Sequence, residues 1–164
     1  MDGGVIKCWG SNDYGQLGLG DTSIRGDGPG EMGDDLPAVD LGPGRTAKMI
    51  AGGSNHACAV LDDDSVKCWG RNDYGQLGLG HTSDRGDNIN EMGDKLPAVD
   101  LGTGRTAKMI SAGEAHTCAL LDDDSLKCWG RNDYGQLGIG DTDRRGDGPG
   151  EMGDDLPFVD LGYV

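Results

Sequence analysis

The stretch KCWGRNDYGQLGLG occupies residues 67–80. It recurs as KCWGRNDYGQLGIG at 127–140 and as KCWGSNDYGQLGLG at 7–20. Lys7, Lys67 and Lys127 therefore open three copies spaced 60 residues apart. Residues 31–50 and 91–110 repeat the remainder of the unit and differ only at 35/95 and 43/103. Likeness at a fixed period marks a repeat architecture, in which no unit buries its apolar face alone. The units read as 5–64, 65–124 and a partial 125–164, together one repeat domain over 1–164. Copies this similar point to recent duplication or to design from a consensus.

Around the repeated phrase lie short apolar runs bounded by Gly, Pro and Asp. In the middle unit these are PAVDL (97–101), TAKMIS (106–111), HTCALL (116–121) and SLKCWG (125–130). Such runs read as strands. No window of about a dozen residues keeps a 3.6-residue period free of Gly or Pro, so helix is the weaker reading. HTCALLDDDSLKCWG reads as a hairpin. With Asp122, Asp123 and Asp124 as a three-residue loop, Leu120 faces Leu126 and Cys118 faces Cys128; the same count sets Cys58 opposite Cys68. Asp tolerates the left-handed backbone that a short hairpin loop needs. Four antiparallel strands repeated along a chain predict an all-β fold, a β-propeller of four-stranded blades.

GEAHTCALLDDDSLKCWGRNDYGQLGIGD (113–141), with the downstream LP-x-VDL and AKMI, resembles the repeat of the regulator of chromosome condensation family. The resemblance covers nearly the whole chain, and the family's best-known members are seven-bladed propellers. The insert RGDGPGEMGDDLP makes this unit longer than the usual blade; versions with paired Cys and such an insert look like bacterial members. The resemblance implies two uses, nucleotide exchange on a small GTPase and inhibition of enzymes through a broad loop face. No residue here matches a motif unique to either. In this frame the glycines of NDYGQLGLG form a tight turn, and Trp9, Trp69, Trp129, Tyr14, Tyr74 and Tyr134 are structural residues of the repeat, Tyr74 packing with Leu77 between blades.

The chain opens on the fourth strand type, VIKCWG (5–10), and closes on the first, PFVDLGYV (157–164). Two and a half to three blades result, and the two ends read as halves of a split blade. Unpaired sheet edges favour self-association, so the expected partner is the chain itself, completing a ring as a homo-oligomer. Tyr163 stands where the earlier unit has Thr103 and reads as an end contact or a terminus.

Composition limits the other partners. Gly supplies 32 of 164 residues and Phe one, and only 35% of the chain is hydrophobic. Grouping of the apolar residues into runs argues against disorder. The net charge of −15 excludes binding nucleic acid through its phosphates and docking on an anionic membrane; it favours a basic or cationic protein partner. No apolar run reaches the roughly 18 residues of a membrane span, and the opening MDGGVIKCWG reads as lacking a signal peptide.

Five cysteines leave one over. Cys58–Cys68 and Cys118–Cys128 are expected disulfides, which would favour an extracytoplasmic setting. Cys8 is expected to be free or joined to another chain. Zinc at His116, Cys118 and Cys128 would have three ligands where a structural site wants four. The inserts carry Gly-spaced carboxylates: Asp27, Glu31 and Asp34; Asp87, Glu91 and Asp94; Asp147, Glu151 and Asp154. Oxygen ligands on Gly-rich loops suit calcium, so calcium is the one cofactor the pattern suggests. The Arg-Gly-Asp tripeptides at 25–27, 85–87 and 145–147 are repeated copies of one short match. His56, His81 and His116 fit no catalytic set, and NDYGQLGLG lacks the Lys-Ser/Thr ending of a phosphate loop. The sequence thus predicts a non-catalytic interaction scaffold. Its alternatives are a calcium-loaded structural repeat and a designed or reconstructed propeller fragment.

Overall fold

The computed structural model describes residues 4–162; Tyr163 lies outside that range. It contains two three-stranded antiparallel sheets. One is ordered β1 (Ala47–Gly52), β2 (His56–Leu61), β3 (Val66–Gly70); the other β4 (Ala107–Ala112), β5 (His116–Leu121), β6 (Leu126–Gly130). The hairpins take the predicted register, with Cys58 opposite Cys68, Cys118 opposite Cys128 and Leu120 opposite Leu126. Asp64 and Asp124 adopt φ of 64° and 68° at the ends of the three-residue loops. Asp63 and Asp123 fix those loops through one carboxylate oxygen, which accepts from the backbone N–H and the hydroxyl of Ser65 and Ser125.

Two expectations are corrected. The segment 97–101 forms no strand, and it belongs beside β3 rather than ahead of β4. One backbone bond holds it there, from Val99 N–H to the Val66 carbonyl at 2.8 Å; Val39–Ile6 and Val159–Leu126 repeat that bond. The physical reason is divided bonding. Pro97 has no N–H to give, and the Asp100 carbonyl accepts from Gly153 of the next unit, so the segment bonds both ways and builds no ladder. Each blade is therefore three strands plus an extended outer segment.

The second correction concerns the ends. Segment 157–161 lies along the outer edge of the β4–β6 sheet, joined to it by the Val159–Leu126 bond. Residues 5–10 and 37–41 form the outer half of a blade whose two inner strands are absent among the described residues. The two ends therefore do not sum to one blade, although the count of two and a half holds.

Packing between sheets centres on β4 against β1 and β2, the inner strands, so the sheets fan outward from a common side. One core lies between the two sheets, where Val66, Leu77, Val99, Leu101, Leu121, Trp129 and Leu156 pack together. A second lies between the half-blade and the first sheet and contains Ile6, Val39, Leu41, Leu61, Trp69 and Leu96.

Candidate interaction surfaces at the seams and flanks

Each repeated phrase folds into a loop stiffened by its own amides. Asn12, Asn72 and Asn132 are fully buried; each accepts from the backbone N–H of Leu17, Leu77 or Leu137 at 3.0 Å and donates to two carbonyls beyond the loop. The Gln16, Gln76 and Gln136 side chains accept from Tyr14, Tyr74 and Tyr134 N–H. These loops then reach across to the next blade. Trp69 Nε1 donates to the Gln16 carbonyl at 3.1 Å and Trp129 Nε1 to the Gln76 carbonyl at 3.0 Å. Gly20 and Gly80 donate to the carbonyls of Gly86 and Gly146. A Cβ on Gly15 or Gly75 would fall 2.2 or 2.3 Å from the amide nitrogen of Asp87 or Asp147, so these two glycines permit the close approach.

Lysine clamps cross the same seams. Lys67 Nζ donates to Leu41 and Gly93 carbonyls, and Lys127 Nζ to Leu101 and Gly153 carbonyls at 3.2 and 2.6 Å. Burial pushes both ammonium groups below the usual lysine range. Phe158 lies against the Lys127 ammonium, 4.5 Å from ring centre. Arg71 stacks over Tyr14, and Arg131 and Arg144 over Tyr74.

A buried polar chain completes the seam between the sheets. Thr117 Oγ1 donates its one proton to the Gln76 carbonyl at 2.9 Å, so His56 Nε2–H donates to Thr117 Oγ1, also at 2.9 Å. His56 Nδ1 is then a buried acceptor without a partner among the described residues. Burial, with His116 nearby, lowers the His56 pKa to about 4.

At the flanks these groups lose their counterparts. Trp69 and Trp129 are 0% exposed, whereas Trp9 is 62% exposed. Among the described residues Lys7 donates only to the Gly33 carbonyl. At the opposite end Tyr134 is 84% and Leu161 76% exposed, and a Cβ on Gly135 would meet nothing within 4 Å.

The two expected disulfides are present, Cys58–Cys68 and Cys118–Cys128, with Cα atoms 4.1 Å apart in each. Their cysteines are thereby unavailable for zinc. Cys8 is free and half-buried, and burial raises its thiol pKa. In the inserts one Glu31 oxygen accepts from the N–H groups of Gly26, Asp27 and Gly28, and Glu91 and Glu151 close their own loops similarly. These backbone bonds hold the Glu31 carboxyl below the usual range. Burial and then Glu91 or Glu151 raise Asp87 and Asp147. Asp154 accepts from Thr103 N–H and Oγ1, and the Asp94 carboxylate lies against Gly42. Asp34 is the middle residue of the 3-10 turn Gly33–Asp35. Among the described residues no three His, Cys, Asp or Glu side chains converge to hold a metal. Arg25 and Arg145 of the tripeptides pair with Asp21 and Asp141. Sequence reasoning missed Lys127 and Gln76 as seam residues and Asn72 as the buried brace of its own loop; the signal was a polar residue kept identical in every copy.

Such sheets, radial and joined by repeated loop-to-tryptophan seams, are those of a β-propeller. The family model described as the regulator of chromosome condensation (RCC1) repeat matches residues 4–60, 63–120 and 123–157, and the chain belongs to that family. It is 39% identical over 145 residues to the ultraviolet-B receptor UVR8 of Arabidopsis thaliana, covering 88% of this chain and 29% of that protein. It is 35% identical to the X-linked retinitis pigmentosa GTPase regulator of Mus musculus, covering 83% of this chain and 12% of that protein. Among solved structures, Prp20p from Saccharomyces cerevisiae superposes with a TM-score of 0.61 at 18% identity, covering 92% of this chain and 33% of Prp20p. The chain thus spans a third or less of each of these three proteins. Propellers of this family serve as protein-interaction modules. Among the described residues no helix is long and apolar enough to cross a membrane.

Proposed function

We propose that this chain is a non-catalytic interaction module whose partner at its open flanks is a second copy of itself. The observation that carries the reading is one residue in three settings: the repeated tryptophan is buried and bonded at both internal seams and bare at the N-terminal flank. The missing partner is displayed at the other end. By the pattern of the internal seams, the Gln136 carbonyl of one copy accepts from Trp9 of the next, Gly140 donates to the Gly26 carbonyl, and Lys7 gains the Leu161 carbonyl. One contact is not renewed, because Ser11 stands where Arg71 and Arg131 stack on a tyrosine. Such an end-to-end contact is heterologous and closes into a ring or extends, depending on the angle per copy. The loop faces, at a net charge of −15, suit a basic protein as the further partner. Prp20p is described as binding Gsp1p and histones, a use that stays with that protein.

Sedimentation across a wide concentration range tests the reading. Mass should rise above the 17.1 kDa of one chain as concentration increases, and Trp9→Ser should hold it there. A single species of one-chain mass at every concentration would overturn it.

A further inference from the structure

The half-blade has a second open surface, distinct from the flank that faces another copy. In β3 the Val66 carbonyl bonds outward to Val99, and Gly70 exchanges both bonds with Arg85. Alternation then turns the backbone of Lys67 and Trp69 inward, towards β2. Residues 6–10 follow the same course. The Ile6 carbonyl bonds outward to Val39, and Gly10 exchanges bonds with Arg25. The N–H and C=O groups of Lys7 and Trp9 therefore point to the inner edge, where no strand pairs with them among the described residues.

A groove of about 380 Å³ runs along that edge, lined by Cys8, Trp9, Ile50, Gly52, His56 and Ala57. Its walls are largely apolar. His56, 2% exposed, lines it and has a ring nitrogen without a partner. Cys8 occupies the position at which Cys68 and Cys128 are disulfide-bonded to the neighbouring strand.

The chain itself shows what fits. β2 reads HACAVL and β5 reads HTCALL. Both place His opposite Gly, Cys opposite Cys and Val or Leu opposite the residue equivalent to Ile6. We propose that the groove takes up an extended strand of pattern His-x-Cys-Ala-x-Leu from another repeat of this family, antiparallel to residues 6–10, and that Cys8 joins its cysteine in a disulfide. A second copy of this chain does not supply the strand, because both of its own are already paired within sheets. The geometry is strand addition to an exposed edge, where main-chain bonds give affinity and alternate side chains give selectivity. The covalent step is thiol–disulfide exchange. The Cys8 thiolate attacks the incoming cysteine's sulfur, carried as a mixed disulfide with a small thiol; the new S–S bond forms and the small thiolate leaves, with no net oxidation. Because burial disfavours the Cys8 thiolate, reagents in bulk solvent react slowly, and docking supplies the advantage.

The test uses the intact chain and the peptide GEAHTCALLDDDS, its cysteine activated with 2-thiopyridine, whose release is followed by absorbance. Capture should be at least about 100-fold faster than for a scrambled peptide with the same activated cysteine, the gain expected of docking-raised local concentration. Mass mapping should find one peptide, on Cys8, and denaturant should abolish the difference. Cys8→Ser should stop covalent capture yet still bind the unactivated peptide. N-methylation at the alanine facing Lys7 should weaken that binding about tenfold, the worth of one strong ladder bond. Equal rates for native and scrambled peptides, or binding indifferent to N-methylation, would overturn the proposal. Neither outcome bears on end-to-end association, which sedimentation reads separately.

Discussion

The seam between the two sheets and the N-terminal flank are built from the same residues and end in opposite states. At the seam Trp129 is sealed, its indole bonded to the Gln76 carbonyl; at the flank Trp9 stands 62% exposed. The tetrapeptide KCWG is identical in both, but among the described residues the flank lacks the preceding blade and the inner strands of its own blade as well. The difference is the presence of a neighbour. Burial in this fold is therefore a property of the pair of blades and not of the blade.

Paired substitutions sharpen that contrast. Trp129→Ala should lower unfolding stability by about 3–5 kcal/mol in urea titration, and Trp9→Ala in dilute solution by less than about 1. A large cost at Trp9 under one-chain conditions would break the comparison.

Acid probes the seam through His56. Its folded pKa of about 4 lies below the ordinary value near 6.5, so the unfolded chain binds the extra proton first. Stability from this group is complete above about pH 6.5 and is lost as pH falls towards 4, on the order of 3 kcal/mol in all. His56→Gln should flatten that part of the melting-temperature profile.

A glycine pair gives a finer probe. Gly75 and Gly135 have φ of 75° and 72°, so alanine brings equal backbone strain to both, about 1 kcal/mol. Only at Gly75 does the new Cβ strike a neighbouring backbone. Gly75→Ala should cost about 2 kcal/mol more than Gly135→Ala by differential melting. The smallest effect belongs off the seam: Asp124→Gly, at a left-handed loop end, should change stability by under about 1 kcal/mol, mostly by relief of strain.

Strands β2, β3, β5 and β6, their register, the loop conformation and both disulfides were legible because each depends on residues within one hairpin. The outer segment was misread because its apolar pattern matches a strand, while Pro97 and the divided bonding of Asp100 appear only when the next blade is in place. The seam was illegible for a related reason. Trp129 meets Gln76 across 53 residues, and Lys127 looks like a solvated charge until the carbonyls of Leu101 and Gly153 close around it. Of the inserts, their acidity was evident; that one oxygen of Glu31 closes its own loop was not.

Both cystines span only ten residues, each inside a single hairpin. No sulfur bridge stitches one blade to its neighbour, so adjoining blades are held by the connecting chain and by noncovalent grip alone. Under tension the array should part leaf by leaf, like an opened fan, and a freed leaf, stripped of the core it shares with its neighbour, should keep only the hairpin that its cystine closes.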